Sequence, residues 1–207
     1  MGLEADAVFF HYHKRQPWIL ENCSLKIERG ERVAVAAPSG YGKTTLALLL
    51  AGYLQPVQGR VLADGRPLPA KGRCPVQLIG QHPEQSVNPR WRIRKILEEA
   101  GRLEEWIKEG ILDTFGIREA WLDRYPGELS GGELQRCCVA RAVMSEADYL
   151  ICDEISTMLD VITQAQVWKG LTEAADRKQM GLMIITHNRH LAERVADRIV
   201  YLGESGE

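Results

Sequence analysis

Apolar positions along this chain follow two rhythms, and the places where the rhythm changes outline its architecture. Ala7 to Tyr12 is short and aromatic and predicts an edge strand, after which the polar residues His13 to Pro17 turn the chain. Ile19 to Ile27 alternates imperfectly and predicts a second strand, closed by the turn signal Arg29-Gly30-Glu31. Val33 and Val35 lie in an apolar stretch suited to a buried strand, and Leu46 to Leu50 are good helix formers. Gly59 to Gly65 predicts a strand ending on an Asp-Gly turn. Pro67, Pro69, Gly72 and Pro75 then keep the chain irregular until a strand at Val76 to Ile79, which ends at Gly80-Gln81.

From Pro89 to Met144 the spacing becomes helical. Ile93, Ile96 and Leu97, then Leu103, Trp106, Ile107, Ile111 and Leu112, recur at intervals of three and four. This predicts a helical insert long enough to form its own lobe. Strand and helix alternate again afterwards: a buried strand at Asp148 to Asp153, a helix at Val161 to Arg177, a strand at Leu182 to Thr186, a short helix at Arg189 to Ala196 and a last strand at Arg198 to Leu202. In the long helix Val167, Trp168, Leu171, Ala174 and Ala175 share one face. Such alternation implies an α/β fold with a mostly parallel sheet covered on both faces. Right-handed crossovers then collect the loops that bind ligands at the carboxyl ends of the strands.

One strand-to-helix junction carries recognisable chemistry. Residues 33–54 read VAVAAPSGYGKTTLALLLAGYL. The turn Pro38-Ser39-Gly40-Tyr41-Gly42 leads straight into Lys43, Thr44 and Thr45. Its glycines let successive backbone N–H groups point into one hollow, and the helix start adds unpaired N–H groups and partial positive charge. Ser39, Gly40, Tyr41, Gly42, Lys43, Thr44 and Thr45 are therefore candidate phosphate-binding residues, with Lys43 reaching the outer phosphates and the Thr44 hydroxyl on Mg²⁺. Ala37 stands where this pattern carries its first glycine; if that position needs positive φ, alanine costs about 1 kcal/mol or more there.

Two further segments complete the chemistry. Tyr149 to Cys152 leads into Asp153 and Glu154. A carboxylate at the strand tip suits Mg²⁺, and Glu154 suits a general base or a group that orients water. Leu129-Ser130-Gly131-Gly132-Glu133 predicts a second helix start, with Ser130 as N-cap and Glu133 three residues on as in a capping box. Gly131 and Gly132 permit close approach of an anion. Two anion-binding helix starts in one small chain call for two phosphates, or for one nucleotide gripped by two chains.

Composition narrows the picture. At 207 residues the chain fits one domain with a subdomain, and a net charge of -2 gives no basic field for nucleic acid, which is not an expected partner. The local exception is Arg90, Arg92, Arg94 and Lys95, whose plain reading is a solvated face. Five scattered cysteines without a C-x-x-C exclude a disulfide framework or zinc site and suggest packing thiols in a reducing compartment. Glu4 and Asp6 interrupt any signal-like opening, and the apolar run Leu46 to Leu54 is far too short to cross a bilayer. A soluble protein is expected, with any membrane role exercised through a partner.

In order and spacing, Ala37 to Thr44, Gln81, Leu129 to Arg136, Asp148 to Glu154, Thr157-Met158-Leu159-Asp160 and His187 resemble the ATPase subunit of an ABC transporter over nearly the whole chain. The resemblance implies a single ABC ATPase domain over 1–207: a P-loop NTPase core with a small N-terminal antiparallel β subdomain (1–88 and 145–207) and an inserted helical subdomain (89–144). It implies ATP and Mg²⁺ as cofactors. Tyr12 would stack on adenine, Gln81 would touch Mg²⁺ or the water, and His187 would hydrogen-bond the γ-phosphate. Ser130 and Gly132 would bind the γ-phosphate of ATP held by a second ATPase subunit, with Asp160 at the subunit contact. Glu133 stands where Gln is commoner and Ile155 where Pro is usual, and neither removes a residue with a direct chemical task.

The run Gln81-His-Pro-Glu-Gln-Ser-Val-Asn-Pro89-Arg90 is similar to the peptide and nickel importer subgroup. That likeness implies a partner ATPase chain, paralogous or identical, two permease subunits, an extracellular solute-binding protein, and a peripheral place on the cytoplasmic face of the inner membrane. The basic cluster at Arg90 to Lys95 would then lie near the permease contact. Subunits of that subgroup normally carry a C-terminal tail, which a chain ending at Glu207 is expected to lack. Competing readings are a soluble ABC-type ATPase of DNA repair or translation, a non-hydrolytic ATP-dependent clamp, and a P-loop kinase, which leaves Leu129 to Glu133 unexplained.

Overall fold

A computed structural model describes residues 1–38 and 40–203. The chain packs as two units. The first comprises Met1–Leu78, Asp148–Asp153 and the chain from Lys178 onward; the second comprises Ile79–Ala147 and Glu154–Arg177. The line drawn from sequence, 89–144 against the rest, differs in that 79–88, 145–147 and 154–177 also group with the helical unit.

In the first unit an antiparallel sheet has the order β2-β1-β4-β5, built from β1 (Gly2–Phe10), β2 (Leu20–Glu28), β4 (Gln58–Ala63) and the two-residue β5 (Arg66–Pro67). The first strand is thus interior, flanked by β2 and β4, and not the edge strand that its sequence suggests. It also begins earlier than expected. Leu3 and Ala5 face the core at odd positions, whereas Val8 and Phe10 do so at even ones. The parity flips through a bulge at Ala7, which has φ of +46°, and β2 has a matching irregularity with Asn22 at +48°. A bulge moves later side chains to the other face, which hides the strand from a period-of-two search. Gly59 of β4 sits opposite that bulge; a Cβ there would lie 2.3 Å from the Ala7 carbonyl oxygen.

The second sheet, in the order β6-β7-β8-β3-β9, contains β6 (Val76–Ile79), β7 (Tyr149–Asp153), β8 (Gly181–Ile185), β3 (Arg32–Ala36) and β9 (Arg198–Tyr201). Strands β7, β8, β3 and β9 run parallel. Helix α1 (Lys43–Leu50) buries Leu46, Ala47, Leu49 and Leu50 in the same core as Val33, Val35 and Ile151. A polar network ties the antiparallel sheet to β7: Arg29 pairs with Asp64 at 2.5 Å and Asp148 at 3.0 Å, and the Tyr149 hydroxyl donates to Asp64 at 2.7 Å. Arg29 holds the Asp64 carboxyl below its ordinary range, while burial and the Asp64 carboxylate push the Tyr149 phenol up.

The second unit is helical. It contains α2 (Ile93–Glu98), α3 (Leu103–Lys108), α4 (Ile111–Thr114), α5 (Gly131–Met144) and α6 (Val161–Lys178, its last residue in the first unit). Ile93, Ile96, Leu97, Phe115, Val139, Val167 and Leu171 are fully buried. All five cysteines are free thiols, and Cys137, Cys138 and Cys152 are buried as packing residues. Burial pushes the Cys137 thiol up to about 12 and Cys138 to about 11. No helix among the described residues is long and apolar enough to cross a membrane.

Candidate nucleotide site

In the first unit the candidate residues gather at one edge of the parallel sheet. Ile185 of β8 registers against Val35 of β3 on one side and Asp153 of β7 on the other. The chain leaves β3 into the glycine turn, β7 ends on Asp153, and β8 leads to His187. With strands about 4.8 Å apart, this places the Val35 and Asp153 backbones about 10 Å apart in one row, with the glycine turn following β3. Asp153 is buried at the end of a fully buried strand, and His187 is exposed. After it Asn188 caps α7 (Arg189–Val195), accepting from the Leu191 N–H at 3.1 Å.

The loop itself has the conformation its glycines predict. Gly40 and Gly42 have φ of +85° and +81°, and a Cβ on Gly42 would lie 2.8 Å from Leu20. Ala37 is not among the residues of positive φ, so its methyl group carries no backbone strain. Ser39 lies outside the described residues. Gly42 begins α1 with no side-chain cap and no acid in the first turn, so the helix start presents bare N–H groups. Lys43 is only 7% exposed; its Nζ donates to the carbonyls of Ala37 at 2.7 Å and Pro38 at 3.0 Å. No carboxylate pairs with it among the described residues. Thr44 is exposed, whereas the buried Thr45 hydroxyl lies 3.3 Å from the Tyr12 hydroxyl. Tyr12 also meets Phe10 edge-on at 5.1 Å, and a Cβ on Gly203 would lie 2.9 Å from the Tyr41 ring.

Mg²⁺ and a nucleotide fit this donor set. A buried cation and an uncapped helix start suit polyphosphate. Thr44 and Asp153 offer hard oxygen donors, and no group of three His, Cys, Asp or Glu residues among those described forms a cage by itself. Mg²⁺ is typically held by one or two protein oxygens plus phosphate oxygens.

The second unit supplies a separate concave site of about 350 Å³, lined by Ser130, Gly131, Gly132, Glu133, Arg136, Met158, Leu159, Asp160 and Thr163. The capping box forms as expected: the Glu133 N–H donates to Ser130 Oγ at 3.3 Å, and Glu133 Oε2 accepts from the Ser130 N–H at 2.8 Å. That backbone bond holds the Glu133 carboxyl below its usual range. Asp160 caps α6, accepting from the N–H of Ile162 and Thr163 and from the Thr163 hydroxyl at 2.6 Å, which lowers its carboxyl too. Met158, to which the sequence assigns no contact with these glycines, has its Sδ 2.9 Å from where a Cβ on Gly131 would stand, and its carbonyl 3.0 Å from one on Gly132. The close approach that those glycines permit is therefore made by residues 158–159 of the same chain.

Gln81, exposed after β6, and Glu154 belong to this second unit. Glu154 has φ of +52°, a left-handed conformation rare for a non-glycine residue and found preferentially at functional sites. Three members of the basic cluster meet groups of their own chain: Arg92 donates to the Asp123 carbonyl at 2.6 Å and lies over Tyr125, Arg94 pairs with Glu104 at 2.7 Å, and Lys95 lies 4.4 Å over Trp91.

Comparison with known proteins agrees with this geometry. Residues 20–157 match the family described as ABC transporter. The chain is 35% identical over 210 aligned residues, covering 97% of it and 86% of the relative, to the nickel import system ATP-binding protein NikE of Staphylococcus aureus. It is 33% identical over 95% of its length, and 68% of the relative's, to the probable D,D-dipeptide transport ATP-binding protein DdpF of Escherichia coli. A solved structure of an ATP-binding subunit of an ABC transporter superposes with a TM-score of 0.86 at 25% identity, covering 98% of this chain and 86% of that one.

Proposed function

This chain belongs to the ABC transporter family, and on that premise we infer that it is the ATP-hydrolysing subunit of a membrane importer for peptides or nickel chelates. The names of its relatives and the run Gln81 to Arg90 support that cargo class. The observation that carries the ATPase reading is the buried Lys43 at an uncapped helix start, in the helix that follows β3, whose Val35 shares a strand row with Asp153.

In this reading the backbone N–H groups of Ser39 to Gly42 and of α1 hold the phosphates. Lys43 leaves its two carbonyl partners for the outer phosphate oxygens, and Tyr12, tethered to Thr45, stacks on the base. Thr44 and Asp153 would hold Mg²⁺, with Gln81 sensing the cation or the water; a metal held there would supply charge neutralisation for the phosphates. Glu154 orients the attacking water and accepts its proton, while His187 hydrogen-bonds the γ-phosphate. Ser130, Gly131 and Gly132 meet the γ-phosphate on a second ATPase chain, paralogous or identical, with Asp160 at the contact. Two permease subunits and an extracellular solute-binding protein complete the assembly, and the chain sits peripherally on the cytoplasmic face of the membrane.

The test is Glu154→Gln in the assembled complex. Turnover is expected to fall by about 100-fold or more while ATP affinity stays within about threefold. Turnover near the wild-type rate, or a chain with no affinity for adenine nucleotides, would remove the reading.

A further inference from the structure

Helix α5 does more than end on Ser130. Along one of its faces, side chains three residues apart meet backbone carbonyls three residues apart in the segment that follows β6. Gln135 Nε2 donates to the Gly80 carbonyl at 3.1 Å, Cys138 Sγ lies 3.9 Å from the Pro83 carbonyl, and Arg141 Nη2 donates to the Ser86 carbonyl at 2.8 Å. Pro83–Gln85 forms a 3₁₀ turn, so the loop advances alongside the helix at a comparable pace: about 6 Å per three residues against about 4.5 Å. Arg141 also pairs with Glu99 at 3.0 Å, which fixes its guanidinium at the far end.

The first of these contacts bears on Gln81. The Gly80 carbonyl and the Gln81 N–H belong to one planar peptide unit. A bond to that carbonyl therefore fixes the plane from which the Gln81 side chain departs. Gln135 is 1% exposed, and its Oε1 is buried without a hydrogen-bond partner among the described residues. An orphaned buried acceptor is destabilising, and an apolar side chain of the same size would avoid it. What the amide does at this place is donate to Gly80.

We propose that Gln135 is a positioning residue for Gln81: through the Gly80 carbonyl it makes the Gln81 loop and the Ser130 helix one rigid piece of the second unit. This rests on the reading of Gln81 given under Proposed function. A shift of α5 then carries the Gln81 peptide with it, so the helix start that meets a neighbour's nucleotide and the side chain that senses the chain's own cation and water respond together.

The test is a double-mutant cycle on turnover in the assembled complex, with amide hydrogen exchange on the full chain. Gln135→Met is expected to lower kcat about tenfold with KM for ATP within about twofold, and to speed exchange at 80–86 without a general rise elsewhere. Gln81→Ala is expected to lower kcat to a similar degree, and the double variant no further than the worse single, because one residue acts through the other. Arg141→Met, which frees the Ser86 end and breaks the Glu99 pair but leaves the Gly80 bond, is expected to loosen 84–86 with a smaller kcat loss, and it supplies the same readouts if Gln135→Met does not fold. Losses that multiply in the double variant, or exchange at 80–86 unchanged in both variants, overturn the proposal. Wild-type turnover in Gln81→Ala overturns the role of Gln81 itself, and with it any positioning through Gln81; that failure shows in the single variant alone.

Discussion

The two helix starts that carry the candidate chemistry are built in opposite ways. Helix α1 opens on Gly42 in the left-handed region, with no side-chain cap, no acid in its first turn and a buried lysine. Helix α5 opens on Ser130 with both halves of a capping box closed and the Glu133 carboxylate in its first turn. The first leaves its orphan N–H groups and a full positive charge for a ligand. The second has already used the Ser130 and Glu133 N–H groups and placed a negative charge beside the remainder. By elementary electrostatics α1 can capture an anion alone, whereas α5 is suited to add bonds to an anion held elsewhere.

The sharpest way to break this comparison is Lys43→Ala. Loss of a buried, charge-assisted donor is expected to weaken ATP binding to the single chain about 100-fold, measured by fluorescent-nucleotide titration. Affinity within twofold of wild type would place the capture elsewhere. Next in size is Ser130→Ala, expected to cut turnover of the assembled complex about tenfold and to lower stability by about 1 kcal/mol through the lost cap. Affinity of the isolated chain for ATP should stay within about twofold; a loss as large as that of Lys43→Ala would erase the difference between the two starts.

The smallest effect is on acid stability. Ser130 holds the Glu133 carboxyl below its ordinary value of 4.5 in the folded chain. A depressed folded-state value means that the bond contributes fully above the unfolded value and is lost as pH falls through the folded one. Wild type should therefore be slightly more stable than Glu133→Gln at about pH 6, by no more than about 0.5 kcal/mol after solvent screening, and the gap should narrow as pH falls below the ordinary value of 4.5. A gap that widens on acidification would contradict the assignment.

Much of this could be read before folding. The helix start at Gly42 and the Ser130 capping box appear as written, because each is made by residues within one turn of each other. Strand β1 was legible only in part: its core-facing parity changes at Ala7, where a bulge faces Gly59, a partner more than fifty residues away. Met158 over Gly131 and the Gln135 bond to Gly80 left no local trace, since nothing in a helical period says which loop the buried face will meet. The basic cluster is exposed at Arg90, Arg92 and Lys95, as a solvated face should be, and the carbonyl, carboxylate and aromatic that Arg92, Arg94 and Lys95 meet come from its own unit.

By itself, the order of residues determined the chemistry available at each junction: a glycine turn before lysine, carboxylates at a strand tip, a serine with glutamate three places on. These are short-range matters of backbone geometry and side-chain reach. Only the tertiary structure decided that Asp153 and Val35, in the strand that leads to the glycine turn, share one strand row, and that Gln135 closes on a carbonyl 55 residues away. Such meetings depend on sheet register and helix packing, which are set by burial summed over the whole core and not by any single stretch of chain.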